Sequence, residues 1–339
     1  MKNWRLWGGI LVSLLCVYLV ARGMDFRSLL AALSHTQWAW LVPAFGLLVG
    51  GMWARALRWR LLLLPFPRLR TGRLFNLLNI SYLVNNVSPF RLGDLLRAYL
   101  CAELERLSVV QALSTVVIER VADTLTIVLL LLMLLPTVSL PISVVRPAFG
   151  VALAALAAAC LLLFLALRRE WSLALLDRLS TRLRFLTRTP LRRLLASAVD
   201  GLSSLGSWHR ALGVLAWSCG IWLGTALQFY VVMQAARLRL PFAAALTVLC
   251  LTSLGMVVPS SPGYVGVFEY ITVVALSLFA VGREAALGYA LILHALSYVS
   301  FAILGVAAIW SEGYSYARLR AVLARAGDGE LQTRDERLA

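Results

Sequence analysis

Long apolar runs separated by short polar stretches dominate the chain. Several of these runs approach or exceed the ~20 residues that a helix needs to cross a membrane. The predicted spans are Trp4–Val20, Trp38 to about Leu64, Val109–Leu135, Ala148–Leu167, Ala211–Ala235 and Ala285–Trp310. Two further apolar stretches, Leu74–Leu100 and Phe242–Ala280, are broken by polar residues, proline and glycine. The pattern predicts an all-α polytopic transmembrane helix bundle with six full spans and two re-entrant or broken helical hairpins.

Composition supports a membrane protein. The chain has 339 residues, of which 61% are hydrophobic and 14% are charged, and its mean hydropathy is +0.83. Soluble domains are about half apolar and about a quarter charged. A soluble globule of this size could not cover so much apolar surface, so lipid must surround most of the chain.

Positive charge lies between the apolar runs. The net charge is +16, and arginines cluster in Arg55–Arg73, in Arg168–Arg210 and after the last span. Because arginine-rich loops stay in the cytoplasm, we expect both termini there, in a membrane of the bacterial inner-membrane type. No basic domain stands apart from the spans, which argues against nucleic acid as a partner.

The domain organisation follows from these runs. Residues 1–312 are predicted to form one transmembrane domain, and residues 313–339 a short basic and polar cytoplasmic tail. Within the domain, residues 168–210 combine many arginines with leucines at helical spacing. This segment predicts two amphipathic helices that lie on the inner membrane surface.

Cofactor and enzyme motifs are missing from the sequence. The histidines lie far apart, and the five cysteines are scattered through apolar stretches, which predicts no metal site and no disulfide framework. There is no Gly-x-Ser-x-Gly, no P-loop and no dinucleotide fingerprint. We therefore expect no cofactor, and we expect that the chain is not an enzyme.

The two broken stretches resemble each other. Ser88–Gly93 and Ser261–Gly266 share the pattern Ser-Pro-x-x-x-Gly, and an acid follows each, Asp94 and Glu269. By the predicted topology, the first hairpin enters from the cytoplasm and the second from outside. A span, a hairpin and a span, repeated in opposite orientation, predicts an inverted repeat, the layout that places transporter sites at mid-membrane.

The first hairpin holds the densest polar cluster. Arg91 and Arg97 offer planar guanidinium groups suited to phosphate, and Asp94 can orient one of them. A helix that begins near Leu92 would point its N-terminal amides at an anion. The alternative is a cytoplasmic loop with surface charges. The candidate residues are Asn85, Asn86, Ser88, Pro89, Arg91, Gly93, Asp94 and Arg97.

Glu119, Arg120 and Asp123 lie inside a predicted span. Positions 119 and 123 share one helix face, and an arginine between two acids can be neutralised within the helix. Ionisable residues at this depth are expected to be functional. The alternative is a structural ion pair that locks this helix to Arg91 or Arg97.

The second hairpin supplies the remaining candidates. Gly263 and Gly266, close to Pro262, let backbone approach backbone or a ligand. Glu269 is an isolated acid in a long apolar region and needs a partner, unless it lies in a tight loop at the interface. His294 and Gln228 are weaker candidates.

Three ordered motifs carry a family resemblance. They are Asn86-x-x-Pro89-x-Arg91-x-Gly93-Asp94-x-x-Arg97, Glu119-Arg120-x-x-Asp123 and Pro262-Gly263-x-x-Gly266-x-x-Glu269. Together they resemble the lysylphosphatidylglycerol synthase transmembrane-domain family, a flippase-like membrane domain, over roughly residues 5 to 312. The resemblance implies lipid translocation. Only a short tail follows the last predicted span, so we expect the aminoacyl transfer activity of fused members to be absent.

Two functional hypotheses follow. The first is a flippase-like transporter that binds and moves an anionic lipid, either a phospholipid or a polyprenyl phosphate, with Arg91 and Arg97 on the phosphate. In it, Glu119, Asp123 and Glu269 balance charge or bind a cationic headgroup, and Arg120 tunes the network. The second is a membrane-embedded transferase, or a non-catalytic partner of a lipid-modifying enzyme. Membrane lipids are the expected partners, and a lipid-modifying enzyme or a homodimer is left open.

Overall fold

The computed structural model confirms the all-α prediction. It describes residues 3–22, 24–64, 70–88, 92–105, 107–139, 141–168, 170–174, 197–256, 260–315 and 317–322, and these contain helices and no strand. The helices are α1 Asn3–Ala21, α2 Phe26–Ser34, α3 Leu41–Leu62, α4 Thr71–Val87, α5 Leu92–Glu105, α6 Val109–Leu134, α7 Ile142–Leu167, α8 Trp208–Ala235, α9 Phe242–Gly255, α10 Val267–Ser277 and α11 Arg283–Ser311. Short 3-10 turns lie at Trp38–Trp40, Leu202–Leu205 and Pro262–Tyr264.

Four helical segments are long and apolar enough to cross a membrane: Trp38–Leu62, Val145–Leu167, Trp208–Ala235 and Arg283–Ser311. The bent pair α1–α2 gives a fifth if it counts as one span. Helix α6 has 26 residues but carries three charges, all of which are paired inside the bundle. The chain is therefore a multi-pass membrane protein with a helix at each predicted span.

Both predicted hairpins consist of two short helices around a break. Helix α4 ends at Val87 and α5 begins at Leu92, whereas α9 ends at Gly255 and α10 begins at Val267. These helices have 17, 14, 14 and 11 residues, or about 25, 21, 21 and 17 Å at ~1.5 Å per residue. Each is shorter than the ~30 Å hydrocarbon core.

The helix packing is that of an inverted repeat. If α3, α4, α5 and α6 are exchanged for α8, α9, α10 and α11, contacting pairs map onto contacting pairs: α4–α5 onto α9–α10, α5–α6 onto α10–α11, and α4–α11 onto α6–α9. Each half also has its own hydrophobic core. The equivalent helices α3 and α8 pack against each other directly.

The relative direction of α3 and α8 shows how the two halves of the repeat are related. Leu61, at the end of α3, lies beside Gly213, near the start of α8. At the other end, the amide of Gln37 donates to the carbonyl of Ala235 over 2.8 Å. The two helices are thus antiparallel, so the axis that relates the halves runs across the helices, as in inverted-repeat transporters.

One end of the bundle carries the predicted basic segments. There Arg73 pairs with Glu312 at 3.0 Å, which joins the start of α4 to the end of α11. The beginning of the predicted tail packs on the same end, where Arg318 pairs with Glu103 at 2.8 Å. Most of the predicted amphipathic segment, residues 175–196, and the rest of the tail from residue 323 lie outside the described residues.

The hairpin glycines are sites of close backbone contact. A Cβ on Gly93 would lie 2.0 Å from the carbonyl oxygen of Ser81 in α4. A Cβ on Gly266, whose φ is +87°, would lie 2.6 Å from the carbonyl oxygen of Ser13 in α1. Both glycines lie at the start of the second helix of their hairpin, where the chain must turn back tightly.

We expect Gly93→Ala to destabilise the protein by about 1–3 kcal/mol, because the added methyl group meets backbone that cannot move aside. Gly220→Ala, in α8, is the matched control, since a Cβ there meets nothing within 4 Å. Thermal unfolding in detergent micelles measures the difference. Equal melting temperatures for the two variants would contradict the close α4–α5 packing.

Candidate functional site

A buried ion network joins the helices of the first half to α8. At its centre is Arg58 of α3, which is 2% exposed. Its guanidinium donates to both carboxylate oxygens of Asp123, at 2.5 and 3.2 Å, and lies 3.6 Å from Glu119. It also donates to the hydroxyl of Ser218 in α8 at 2.7 Å, and the indole of Trp222 donates to Asp123 at 2.9 Å. Asp123 therefore fixes α3 and α8 against α6.

Arg97 extends the network into α5. It is 1% exposed, and its Nη2 lies 2.7 Å from Glu119, while its Nε lies 3.3 Å from Asp94. The guanidinium also lies over the ring of Trp59, 4.9 Å from the centroid. This is the structural ion pair that we considered for Glu119, and its partner is Arg97.

Arg120 forms the outer edge of the network. Its Nη2 lies 3.3 Å from Asp94, and its side chain is 38% exposed. The ion-pair partner of Arg120 thus lies on α5, and not among the two acids of its own helix. Glu119 and Asp123 turn to Arg58 instead, as expected for positions that share one helix face.

Counted over the described residues, the network is formally neutral. Its three cations are Arg58, Arg97 and Arg120, and its three anions are Asp94, Glu119 and Asp123. An unpaired charge costs about 2.5–3.5 kcal/mol at the centre of a membrane helix on insertion scales. Mutual pairing across α3, α5 and α6 removes most of that cost, so these charges can stay inside an apolar bundle.

Arg58 was missed by the sequence analysis, which treated it as part of a cytoplasmic arginine run. The structure places it in the interior of α3. Apolar residues Leu61–Leu64 follow it, so the hydrophobic run continues beyond the arginine. That continuation is the pattern that could have identified Arg58 as an interior residue.

The second hairpin is held by a different set of contacts. Glu269, which is 7% exposed, accepts the amide of Gly266 at 2.7 Å and contacts His294 Nδ1 at 2.5 Å. His294 Nε2 lies 3.0 Å from the carbonyl oxygen of Gly263. Because a carbonyl oxygen can only accept a hydrogen bond, Nε2 is the donor. Glu269 thus finds its partner in His294 on α11, and the pair ties the hairpin turn to that helix.

Tyr298 connects the two hairpins. Its hydroxyl donates to the backbone carbonyl of Asn86, at the end of α4, over 2.5 Å. Its ring also packs against Gly263, where any Cβ would lie within 3 Å of the phenol. The glycine at this position, with φ +70°, lets the turn of the second hairpin touch α11.

A cavity of about 270 Å³ lies between the hairpins. Of the predicted site residues, Asn85, Asn86, Asp94, Arg120 and Gly263 line it, as do His294 and Gln228. Six predicted site residues are buried and are not part of its wall: Gly93, Arg97, Glu119, Asp123, Gly266 and Glu269. Other polar wall residues, which the sequence analysis missed, are Arg55, Tyr82, Trp222, Thr225, Thr252, Ser253, Tyr264, Ser297 and Tyr298.

Arg55 differs from the other arginines at this depth. It lies on α3 one turn before Arg58 and is half-buried at the cavity wall. Within the part of the chain that the structure describes, Arg55 has no ion-pair partner. It is therefore a cation available to a ligand.

Asn85 takes up one of the helix amides that the sequence analysis assigned to an anion. Its side-chain oxygen accepts the amide of Gly93, near the start of α5, at 2.8 Å. Asn86 keeps a buried Nδ2 at the cavity without a partner among the described residues. Ser88 forms the C-cap position of α4. Pro89 and Arg91 lie outside the described residues, so their roles stay predictions.

We expect Arg58→Ala to destabilise the protein by about 3–5 kcal/mol, because it leaves Asp123 and Glu119 with an uncompensated buried charge. Arg60→Ala is the matched control on the same helix, since Arg60 is exposed and its one side-chain hydrogen bond to a described residue is to the hydroxyl of Thr71. Scanning fluorimetry in detergent measures both variants. An Arg58→Ala protein that melts with the control would show that the network does not hold the bundle.

We expect His294→Phe to loosen the second hairpin. Phenylalanine keeps the ring packed beside Phe268 but removes the bonds to Glu269 and Gly263. Hydrogen exchange of peptides that cover residues 260–269 should become faster, whereas peptides from α4 serve as an internal control. Unchanged exchange at the hairpin would contradict the role of the histidine.

The sequence that forms these hairpins and the cavity matches a known protein family. The family model described as lysylphosphatidylglycerol synthase TM region matches residues 6–305, which include both hairpins, the ion network and the cavity. No curated protein and no solved structure matches the chain. The family resemblance noted in the sequence is confirmed by this match. The chain is a member of the lysylphosphatidylglycerol synthase transmembrane family.

Proposed function

We propose that this protein binds the headgroup of an anionic, phosphate-bearing lipid in the central cavity and carries it across the membrane. The observation that carries the proposal is the charge of the cavity wall. Among its described residues, Arg55 and Arg120 are cationic and Asp94 is anionic, so two positive charges face one negative charge. Asp94 is also close to Arg97, which leaves the cavity with a surplus of positive charge.

The chemistry of the wall suits a phosphate group. Arginine presents planar donors that match phosphate oxygens, and Arg55 forms no ion pair with a described carboxylate. Asn86 and Gln228 add amide donors at the same cavity. Arg97 lies behind this wall, so in our proposal it orients Asp94 and α5 and does not touch the ligand.

The position of the cavity supports transport. It lies where the two hairpins of an inverted repeat meet, the place where such transporters bind their substrates. Movement of one half against the other would open the cavity to each side in turn. The contact between Tyr298 and Asn86 is one that such a movement would have to break or shift.

We propose that the protein lies in the inner membrane of a bacterial cell and that the basic end of the bundle faces the cytoplasm. Arg73 of the segment Arg55–Arg73 and Arg318 of the tail form ion pairs at that end. The segment Arg168–Arg210 leads by sequence into the start of α8, which lies beside the end of α3. Loops rich in arginine are retained in the cytoplasm. Both termini would then be cytoplasmic.

The proposal is tested with purified protein in liposomes that contain a fluorescent phosphatidylglycerol or a fluorescent polyprenyl phosphate. We expect the wild type to speed exchange between leaflets, measured as the fraction of label that an external quencher reaches. Arg55→Ala should slow that exchange by about tenfold or more, the effect of one lost charge-assisted hydrogen bond. Arg60→Ala, on the exposed end of the same helix, should behave as the wild type.

Two further variants complete the experiment. Arg91→Ala tests the arginine that the sequence assigns to phosphate. We expect this variant to fold but to move no lipid between leaflets. A zwitterionic lipid of the same chain length should move no faster with protein than without it. Folded wild-type protein that moves neither anionic lipid would overturn the proposal and favour a role as a partner of a lipid-modifying enzyme.

A further inference from the structure

A second concavity opens on the outer surface of the bundle. It is a groove of about 350 Å³ between α6 and α7. Val117 and Val121 form its α6 side, and Val151, Ala154 and Ala155 form its α7 side. Helix α7 is among the most apolar and most exposed helices of the chain, so the groove faces lipid.

Arg120 belongs to both concavities. The same side chain lines the groove and the central cavity, and it is the sole charged residue among those that line the groove. Its Nη2 contacts Asp94, whereas its Nε is buried and forms no hydrogen bond within the described residues. Arg120 therefore lies between an apolar groove and a polar cavity, and its Nε donor forms no hydrogen bond within the described residues.

We propose that the groove between α6 and α7 holds a hydrocarbon chain of the transported lipid while its phosphate passes Arg120 into the cavity. The inference rests on the proposed function and adds the route by which a lipid reaches the site from the side. A lipid has an apolar chain joined to an anionic group, and this surface offers an apolar groove with an arginine at its centre. The match of both parts identifies the occupant as a phosphate-bearing lipid.

Arg120 lies at the middle of the groove. The α6 residues of the groove run from Val116 to Thr124, and eight steps of ~1.5 Å give about 12 Å. The groove therefore offers apolar wall on both sides of Arg120 for a hydrocarbon chain whose phosphate stays beside the arginine.

A helix of a second copy is the other possible occupant, and the charge argues against it. An apolar helix in the groove would cover Arg120 without offering an anion. Burial of a partly paired arginine against such a surface is unfavourable, whereas a phosphate supplies the acceptor that Nε lacks. The lipid is therefore the better partner for this surface.

Photocrosslinking tests the inference directly. The probe is phosphatidylglycerol with a diazirine on one acyl chain, reconstituted with the full-length protein. We expect labelled peptides to concentrate at residues 116–124 and 151–155. Labelling spread equally over the exposed faces of α1, α8 and α11 would overturn the inference, and so would a crosslink that places the α6–α7 groove of one copy against another copy.

A pair of tryptophan variants tests the route in transport. Ala154→Trp fills the groove, whereas Ala157→Trp adds the same ring to an exposed position of α7 that does not line it. We expect Ala154→Trp to reduce both groove labelling and lipid exchange by about tenfold, and Ala157→Trp to change neither. Equal exchange in the two variants overturns the route and leaves the proposed function standing. A wild type that is labelled in the groove but moves no lipid overturns the transport proposal and keeps the groove as a lipid site.

Discussion

Arg58 carries a charge into an interior made mainly of leucine, alanine and valine, and the structure around it follows from that fact. In hydrocarbon there is no water to solvate a guanidinium, so its donors must find acceptors within the protein. Asp123 and Glu119 on α6 and Ser218 on α8 provide them. These acceptors lie far from Arg58 in sequence, so satisfying one side chain fixes three helices against one another.

Pairs of this kind contribute specificity more than net stability, because desolvation offsets much of their attraction. We infer that the network selects one register of α3, α5, α6 and α8. A shift of one helix along another would separate carboxylates from guanidinium groups and leave both unpaired.

The neutrality of the network also has a consequence for the ligand. Because the charges of the network balance one another, the described cation that remains for a bound anion is Arg55. Arg120 adds an Nε that forms no hydrogen bond within the described residues.

The two hairpins meet the constraint of the membrane in different ways. The first is anchored by ion pairs from Asp94 and Arg97, whereas the second is anchored by Glu269 and His294, with glycine at the tight turns. The second brings irregular backbone at Gly263 and Tyr264 to the cavity rather than to lipid, which is where the membrane tolerates it. An inverted repeat thus has equivalent backbone paths but different side-chain chemistry in its halves. The cavity between them is asymmetric in charge as a result.

Much of the fold could be predicted from the sequence, because hydropathy reports directly which helices face lipid. The span predicted at Val109–Leu135 matches α6 within one residue, and the hairpin breaks follow from proline and glycine. The partners of the charges could not be predicted in the same way. Arg58 lies 65 residues from Asp123, and no local pattern records such a distance. Arg55 and Arg58 were therefore grouped with the loop arginines, whereas Glu269 was correctly expected to need a partner without any sign that His294 supplies it.

The central claim is that the cavity recognises negative charge on a lipid through Arg55, which has no ion-pair partner among the described residues. Native mass spectrometry of the purified protein tests it most directly, with phosphatidylglycerol and phosphatidylcholine of identical acyl chains offered in competition. The account predicts preferential retention of phosphatidylglycerol by the wild type and loss of that preference in Arg55→Ala, with Arg60→Ala unchanged. Equal retention of both lipids by the wild type, or an undiminished preference in Arg55→Ala, would contradict it.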